Sequence, residues 1–234
     1  MRRAELLGRV ARNLVARASG HGLRVGVNGV DASGKTTFAD ELAECVSALG
    51  RPVVRASVDD FARPRELRYA RGRYSPEGYY RDSTNLEALA ARLLRPLGPG
   101  GSRRYVTRVF DVWADRPAES AECVAPDDAV LLLDGIFLLR PELRGMLDYA
   151  VFLDVDFETC LARALLRDRG RVGADEAETR ALYARRYFPA QSLYFQDVQP
   201  LEVADLVIDN RKLDAPVITR ERADRRGASG SPAK

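Results

Sequence analysis

Histidine and cysteine are scarce in this chain of 234 residues, and long apolar runs are missing. The single histidine, His21, stands ahead of the first predicted strand and reads as a surface or structural residue. Cys45, Cys123 and Cys160 lie far apart, which excludes the paired spacings of a zinc site or a disulfide framework and favours a reducing compartment. They read as core residues. No stretch approaches the ~18 apolar residues of a membrane span. The start, Met1-Arg2-Arg3-Ala4-Glu5-Leu6-Leu7, has neither the apolar core nor the cleavage pattern of a signal peptide, so a cytoplasmic protein without a membrane partner is expected. Nor is one sign of charge in excess: 37 basic and 34 acidic residues give +3, so the overall balance calls for no nucleic-acid partner. Apolar residues are plentiful. At 46% of the chain they suit one α/β domain with a substantial core, and two full domains are not expected.

The apolar, β-branched stretch Leu23 to Val27 leads into Gly29-Val30-Asp31-Ala32-Ser33-Gly34-Lys35-Thr36, and Phe38, Leu42, Cys45, Val46 and Leu49 then recur at helical spacing until Gly50. The central run has the Gly-x-x-x-x-Gly-Lys-Thr spacing of a P-loop. Gly29 and Gly34 let the backbone turn and approach an anion closely, so that the N–H groups of Asp31, Ala32 and Ser33 can converge on phosphate oxygens. Lys35 adds a mobile positive charge, Thr36 and Thr37 open a helix whose positive end points at the same phosphates, and the Thr36 hydroxyl is placed to ligate Mg2+. A nucleoside triphosphate, ATP or GTP, is the implied ligand. A bare turn is the alternative, and the strand-loop-helix setting argues against it.

Leu6, Leu7, Val10, Leu14 and Val15 form the stripe of an amphipathic helix. Strands are predicted at Pro52 to Val58, Ala129 to Leu133, Tyr149 to Val155 and Ala204 to Ile208, with Tyr105 to Trp113 as an edge strand or pair. Helices are predicted around Leu86 to Leu94 and from Phe157 to Arg169. Alternating strands and helices argue for a three-layer α/β/α sandwich around a mostly parallel five-stranded sheet, with ligands at the carboxyl ends of its strands. We expect one domain over 1–219, with an acceptor-side insertion at about 62–84, a small lid at about 163–190, and a disordered tail over 220–234.

Asp59, Asp60 and Asp134 fall at strand ends that gather on the P-loop side of such a sheet. Asp134 could hold a metal-bound water, and Asp59 or Asp60 could take the proton of an attacking hydroxyl; the plain alternative is a capping aspartate. Arg163, Arg167, Arg169 and Arg171 suggest a lid that places positive charge over the phosphates, against the alternative of a solvated basic helix face.

Gly29 to Thr36, Asp59-Asp60-Phe61, Leu131 to Phe137 with its Asp-Gly, and Arg167-Asp168 together resemble the uridine kinase family of P-loop kinases over roughly residues 23 to 210. The resemblance implies transfer of the γ-phosphoryl group of ATP or GTP to a small-molecule hydroxyl, typically the 5′-hydroxyl of uridine or cytidine. Asp59 would be the base, Asp82 would hold the ribose hydroxyls and Tyr105 would line the acceptor pocket. Departures are Ala62, where the family has Tyr or His, Asp134, where Glu is usual, and the lack of an acceptor-side histidine. They make pantothenate, nicotinamide riboside, a sugar or another metabolite alternative acceptors. A nucleotide-dependent switch protein is the reading from a different class, and the Arg- and Tyr-rich 63–84 segment suits a polar metabolite better than a hydrophobic interface. RNA is the weaker use of those residues, since no RNA-binding signature accompanies them. A homo-oligomer stays open.

Overall fold

The computed structural model describes residues 1–17, 19–169 and 175–222. Six strands form the main sheet: β1 (Leu23–Gly29), β2 (Val53–Ser57), β3 (Val130–Gly135), β4 (Tyr149–Asp154), β5 (Leu206–Asp209) and β6 (Val217–Glu221). Their order across the sheet is β6-β5-β4-β1-β3-β2; the first five are mutually parallel, and β6 runs antiparallel to β5. The five parallel strands are those read from the sequence. The sixth lies partly within the expected tail because only Ile218 of this edge strand packs on the core, which leaves too little apolar periodicity to see. The remainder of the tail, from residue 223, lies outside the described residues.

Period-two alternation explains how the sheet is covered on both sides. Tyr149, Val151 and Leu153 of β4 join Leu23, Val25 and Val27 of β1 on one face, under the apolar stripes of α1 (Arg3–Val15) and α2 (Lys35–Ala48). Ala150 and Phe152 point the other way, where Ala190, Tyr194 and Val198 of a late helix cover them, and Leu131 and Leu133 of β3 meet Leu89, Leu93 and Leu94 there. The expected three layers are thus formed.

The 62–84 insertion is not a bare loop. It holds a short turn of helix at Arg65–Arg68 and then α3 (Pro76–Asp82), whose Ser75 side chain caps the Gly78 N–H; α4 (Leu86–Leu89) follows and runs into a π turn, Ala90–Leu94. Residues 105–113 do not extend the main sheet as expected. They contribute to two small surface ribbons, Arg104–Tyr105 with Cys123–Val124 and Phe110–Asp111 with Arg116–Pro117. Cys123 is therefore exposed and Cys45 half-buried, and only Cys160 is a core cysteine. The segment expected to act as a lid comprises, among the described residues, the end of α5 (Phe157–Asp168), α6 (Glu176–Leu182) and a π turn, Tyr183–Tyr187, that leads into α7 (Phe188–Val198). Arg171 lies outside the described residues. Among those residues no helix is long and apolar enough to cross a membrane.

Candidate active site

The loop between β1 and α2 is shaped by two glycines. At Gly29 (φ 157°) an added Cβ would lie 2.7 Å from the Leu153 carbonyl oxygen and 2.6 Å from Ser33 Oγ, and Gly34 (φ 92°) takes the left-handed turn that starts α2. Ser33 is fully buried, and its carbonyl is pinned from below by Asn210 Nδ2 at 2.8 Å and by Arg163 at 3.4 Å. The loop is thereby fixed with the unpaired N–H groups of the α2 start at the cleft, where the helix dipole favours an anion. Lys35 Nζ donates to the Val30 carbonyl at 2.8 Å and lines the same cleft.

Strand register brings the acids level with this loop. Asp134 pairs with Val27 of β1 and Ser57 of β2, and its buried side chain accepts a 2.7 Å hydrogen bond from Thr36 Oγ1. Its other oxygen, Oδ1, is ion-paired with Arg55 at 2.8 Å but has no donor in hydrogen-bonding geometry. A buried carboxylate oxygen with spare lone pairs beside a threonine hydroxyl is a hard, all-oxygen donor set, and it fits Mg2+.

After β2, the 3-10 turn Val58–Phe61 carries Asp59 to the cleft floor. Asp59 can be reached by solvent through the cleft mouth, yet the surrounding walls desolvate it and raise its pKa above the ordinary aspartate value. The negative charges of Asp31, Asp134 and Asp60 add to the rise, and Lys35 opposes it. Asp60 turns instead to Arg108, 3.1 Å away.

Two chambers meet at Asp59. One, of about 570 Å³, is lined by Ala32, Gly34, Lys35, Thr36, Thr37, Asp134 and Arg163. The other, of about 480 Å³, lies under the insertion and is lined by Arg65, Arg68, Tyr69, Tyr79, Thr84, Trp113, Tyr183 and Tyr187. Asp31, Asp59, Ile136 and Arg167 belong to both. Arg167 is held by a hydrogen bond from its Nε to Asp168 at 2.9 Å, and that bond raises its pKa further. Asp31 joins the chambers mechanically: its oxygens accept from Tyr79 Oη at 2.7 Å and Gln191 Nε2 at 3.0 Å. Burial, aided by Asp31, pushes the Tyr79 phenol well up and Tyr187 up to about 12, so both are neutral donors at physiological pH.

The structure therefore brings together Asp31, Ala32, Gly34, Lys35, Thr36, Thr37, Asp59, Asp134, Arg163 and Arg167, with Gly29 and Ser33 forming the loop's support. It does not bring Asp82 or Tyr105 to either chamber. Asp82 pairs with Arg71 at 2.7 Å, and Tyr105 packs beside the core under its ribbon. Gln191, Tyr183, Tyr187, Arg55 and Trp113 escaped the sequence reading. Tyr183 and Tyr187 at i,i+4 were the one available signal. A larger cavity, about 800 Å³, lies at the amino ends of the strands around His21, Arg51 and Arg103, far from the acids just described.

The sequence pattern of the Phosphoribulokinase / Uridine kinase family matches residues 24–212. A uridine kinase of Schizosaccharomyces pombe is 29% identical over 189 residues, covering 79% of this chain and 39% of that protein, so the chain spans about two fifths of that relative's length. A uridine kinase of Leuconostoc citreum is 25% identical over 182 residues, 76% of this chain and 82% of that one. Among solved structures, a possible uridine kinase from Bacillus stearothermophilus superposes with a TM-score of 0.68 at 23% identity, covering 87% of this chain and 97% of that one, a likeness of fold.

Proposed function

Because the chain belongs to the phosphoribulokinase/uridine kinase family, we propose that it is a small-molecule kinase that moves the γ-phosphoryl group of ATP or GTP onto a hydroxyl group. The triphosphate sits in the chamber of Gly34, Lys35 and Thr36, and the acceptor in the chamber of Arg68, Tyr79 and Tyr187. Asp59 stands where the two meet, and that position is the observation that carries the reading. It accepts the acceptor's proton as the oxygen bonds to the γ-phosphorus, while the bond from that phosphorus to the β,γ-bridging oxygen breaks and the nucleoside diphosphate leaves with the electron pair. A raised pKa makes Asp59 a better proton acceptor than a free aspartate. Lys35, Arg163 and Arg167 supply fixed positive charge where negative charge grows on the phosphates. Thr36 and Asp134 would hold Mg2+, which when bound neutralises part of that charge.

The relatives named uridine kinase put uridine, or a related nucleoside such as cytidine, first among the acceptors we propose. An acceptor other than a nucleoside is the second reading, and the pairing of Asp82 with Arg71 outside the chamber favours it. Turnover of Mg-ATP should depend on the acceptor, and a mass gain of one phosphate in a metabolite screen identifies it. Lys35→Ala should abolish transfer in a protein that keeps its fold by circular dichroism. Acceptor-independent hydrolysis at the same rate, or full activity of the Lys35 variant, would refute the kinase reading.

A further inference from the structure

The phosphate chamber has a second end. Asp59 and Asp134 follow or close β2 and β3, on one side of β1, whereas residues 210–214 follow β5, on the other side, and the phosphate loop leaves β1 between them. Arg3, Glu41, Leu213 and Asp214 line the β5 end. Arg3, on α1, and Leu213 and Asp214 all fall outside residues 24–212, so the family's pattern does not account for them. Arg3 is held at four points. Its backbone N–H donates to the Asp214 carbonyl at 3.0 Å, its Nε to Glu41 at 2.5 Å, and its Nη1 to the Leu213 carbonyl at 3.2 Å and to Asn210 Oδ1 at 3.3 Å. Guanidinium N–H groups donate in the plane of the group, so these bonds fix that plane and leave its faces to packing. Leu213 is 48% exposed, an apolar side chain at the cleft, and its Cδ2 lies 3.7 Å from where a Gly34 Cβ would stand. The segment that carries it is pinned as well: Asn210 donates to the Ser33 carbonyl, and Arg163 donates to the carbonyls of Asn210 and Arg211 at 2.9 and 2.8 Å. A fixed guanidinium and a fixed leucine need little ordering to receive a flat ring, and a guanidinium stacks well on an aromatic face. The neighbouring carboxylates, Glu41 and Asp214, suit a ring whose edge carries N–H donors.

We propose that this end of the chamber takes the purine base of the nucleoside triphosphate and that Arg3, supplied by the helix ahead of the family's matched region, grips it together with Leu213. The proposal rests on the kinase reading and extends it. With the γ-phosphate beside Asp59, the phosphates run along the loop past Thr36 and Thr37, and the ribose and base fall on the β5 side. A purine offers more stacking area than a pyrimidine, and adenine and guanine both carry amino donors on their edges.

The test is calorimetric affinity for the magnesium complexes of ATP, GTP, CTP and tripolyphosphate, the last being the phosphates without sugar or base. It is measured on the whole chain and on Arg3→Ala, Arg3→Lys and Leu213→Ala. Arg3→Ala should weaken ATP and GTP about 10-fold and Leu213→Ala about 3- to 10-fold, with tripolyphosphate held within about twofold in both. Arg3→Lys keeps the charge and loses the plane, so it should bind purine nucleotides as poorly as Arg3→Ala. In the parent, CTP should bind about 10-fold more weakly than ATP. Leu213→Ala leaves the backbone bonds between its segment and Arg3 in place, so it decides the matter alone if Arg3→Ala does not fold. Purine affinities within about twofold of the parent in the folded alanine variants overturn the proposal. So does recovery in Arg3→Lys, which would assign Arg3 to the phosphates by its charge, and so does an equal loss for tripolyphosphate, which would make Arg3 a brace for the loop through Asn210. CTP bound as tightly as ATP, or nucleotides bound no better than tripolyphosphate, overturns it and leaves the kinase standing. Failure of the folded parent to bind any of the four overturns the kinase reading together with it.

Discussion

Gly135→Ala tests whether Asp59 works because of where β3 places it. Gly135 ends β3, and a Cβ built there would stand 2.4 Å from Val58 Cγ2 and 2.6 Å from Val58 Cβ. Ordinary contact begins at 3.4 Å, so the substitution must drive Val58 back by about 1 Å. Val58 opens the 3-10 turn whose next residue is Asp59, and the Val58 side chain is buried, so the displacement passes to the base. Overpacking of this kind costs about 1–3 kcal/mol of stability, and an error near 1 Å in a catalytic group costs about 100-fold in rate. For a chain of this size the stability loss should lower Tm by roughly 2–12 °C. The assay is phosphoryl transfer under saturating substrates beside calorimetric nucleotide affinity. kcat should fall about 100-fold, and by a larger factor than nucleotide affinity, because Val58 leads directly to Asp59, whereas Asp134, beside Gly135 in the first chamber, stays tied to Thr36. Gly145→Ala, where an added Cβ meets nothing within 4 Å, is the control and should be neutral. A destabilised Gly135 variant that retains kcat within about threefold would refute the reasoning, since the strand would then have yielded without moving the base.

Asp59→Asn should lower kcat by roughly 100-fold or more with modest change in nucleotide affinity. In the parent, kcat/KM should rise with pH along a limb lying above the range of an ordinary aspartate, because desolvation by the cleft walls and the charge of Asp31 raise this solvent-reached carboxyl's pKa. The folded state holds that proton more tightly than the unfolded one, so ionised Asp59 lowers stability progressively as pH climbs from the unfolded to the folded pKa. The Asn variant should thus melt above the parent at neutral pH and match it below the usual carboxylate range; a gap that is the same at both pH values would refute the sign. Tyr194→Phe should cost about 1–3 kcal/mol in denaturant unfolding, because it strands the Leu139 N–H and the buried Asn28 amide that now use the hydroxyl. An unchanged midpoint would show that those groups find other partners.

The parallel sheet and the phosphate loop were legible because their signals are local: continuous apolar runs, a glycine spacing, and acids one step past a strand. Asp134 and Asp59 could be placed from strand ends alone, since parallel register brings those ends together. What could not be read depended on distant pairing. Asp82 faces Arg71, and Arg71 lies in a segment whose helical turns carry no clear periodicity. Gln191 has no motif around it; its partner Asp31 lies 160 residues earlier. The edge strand β6 alternates exposed and half-buried residues, so its hydrogen bonds to β5, and not its composition, define it. Arg186 reads as a surface charge on a helix, and becomes a buried cation only when the insertion folds over it.

Asp31 has one oxygen committed to the insertion through Tyr79 and the other to α7 through Gln191, while its own backbone belongs to the phosphate loop. Any shift of that loop is therefore felt by the walls of the second chamber. Thermodynamic reciprocity then requires that any effect of one occupant on the affinity of the other be returned by the same factor. A single aspartate thus ties the floor of one chamber to two walls of the other, so that neither can shift without straining the same pair of hydrogen bonds.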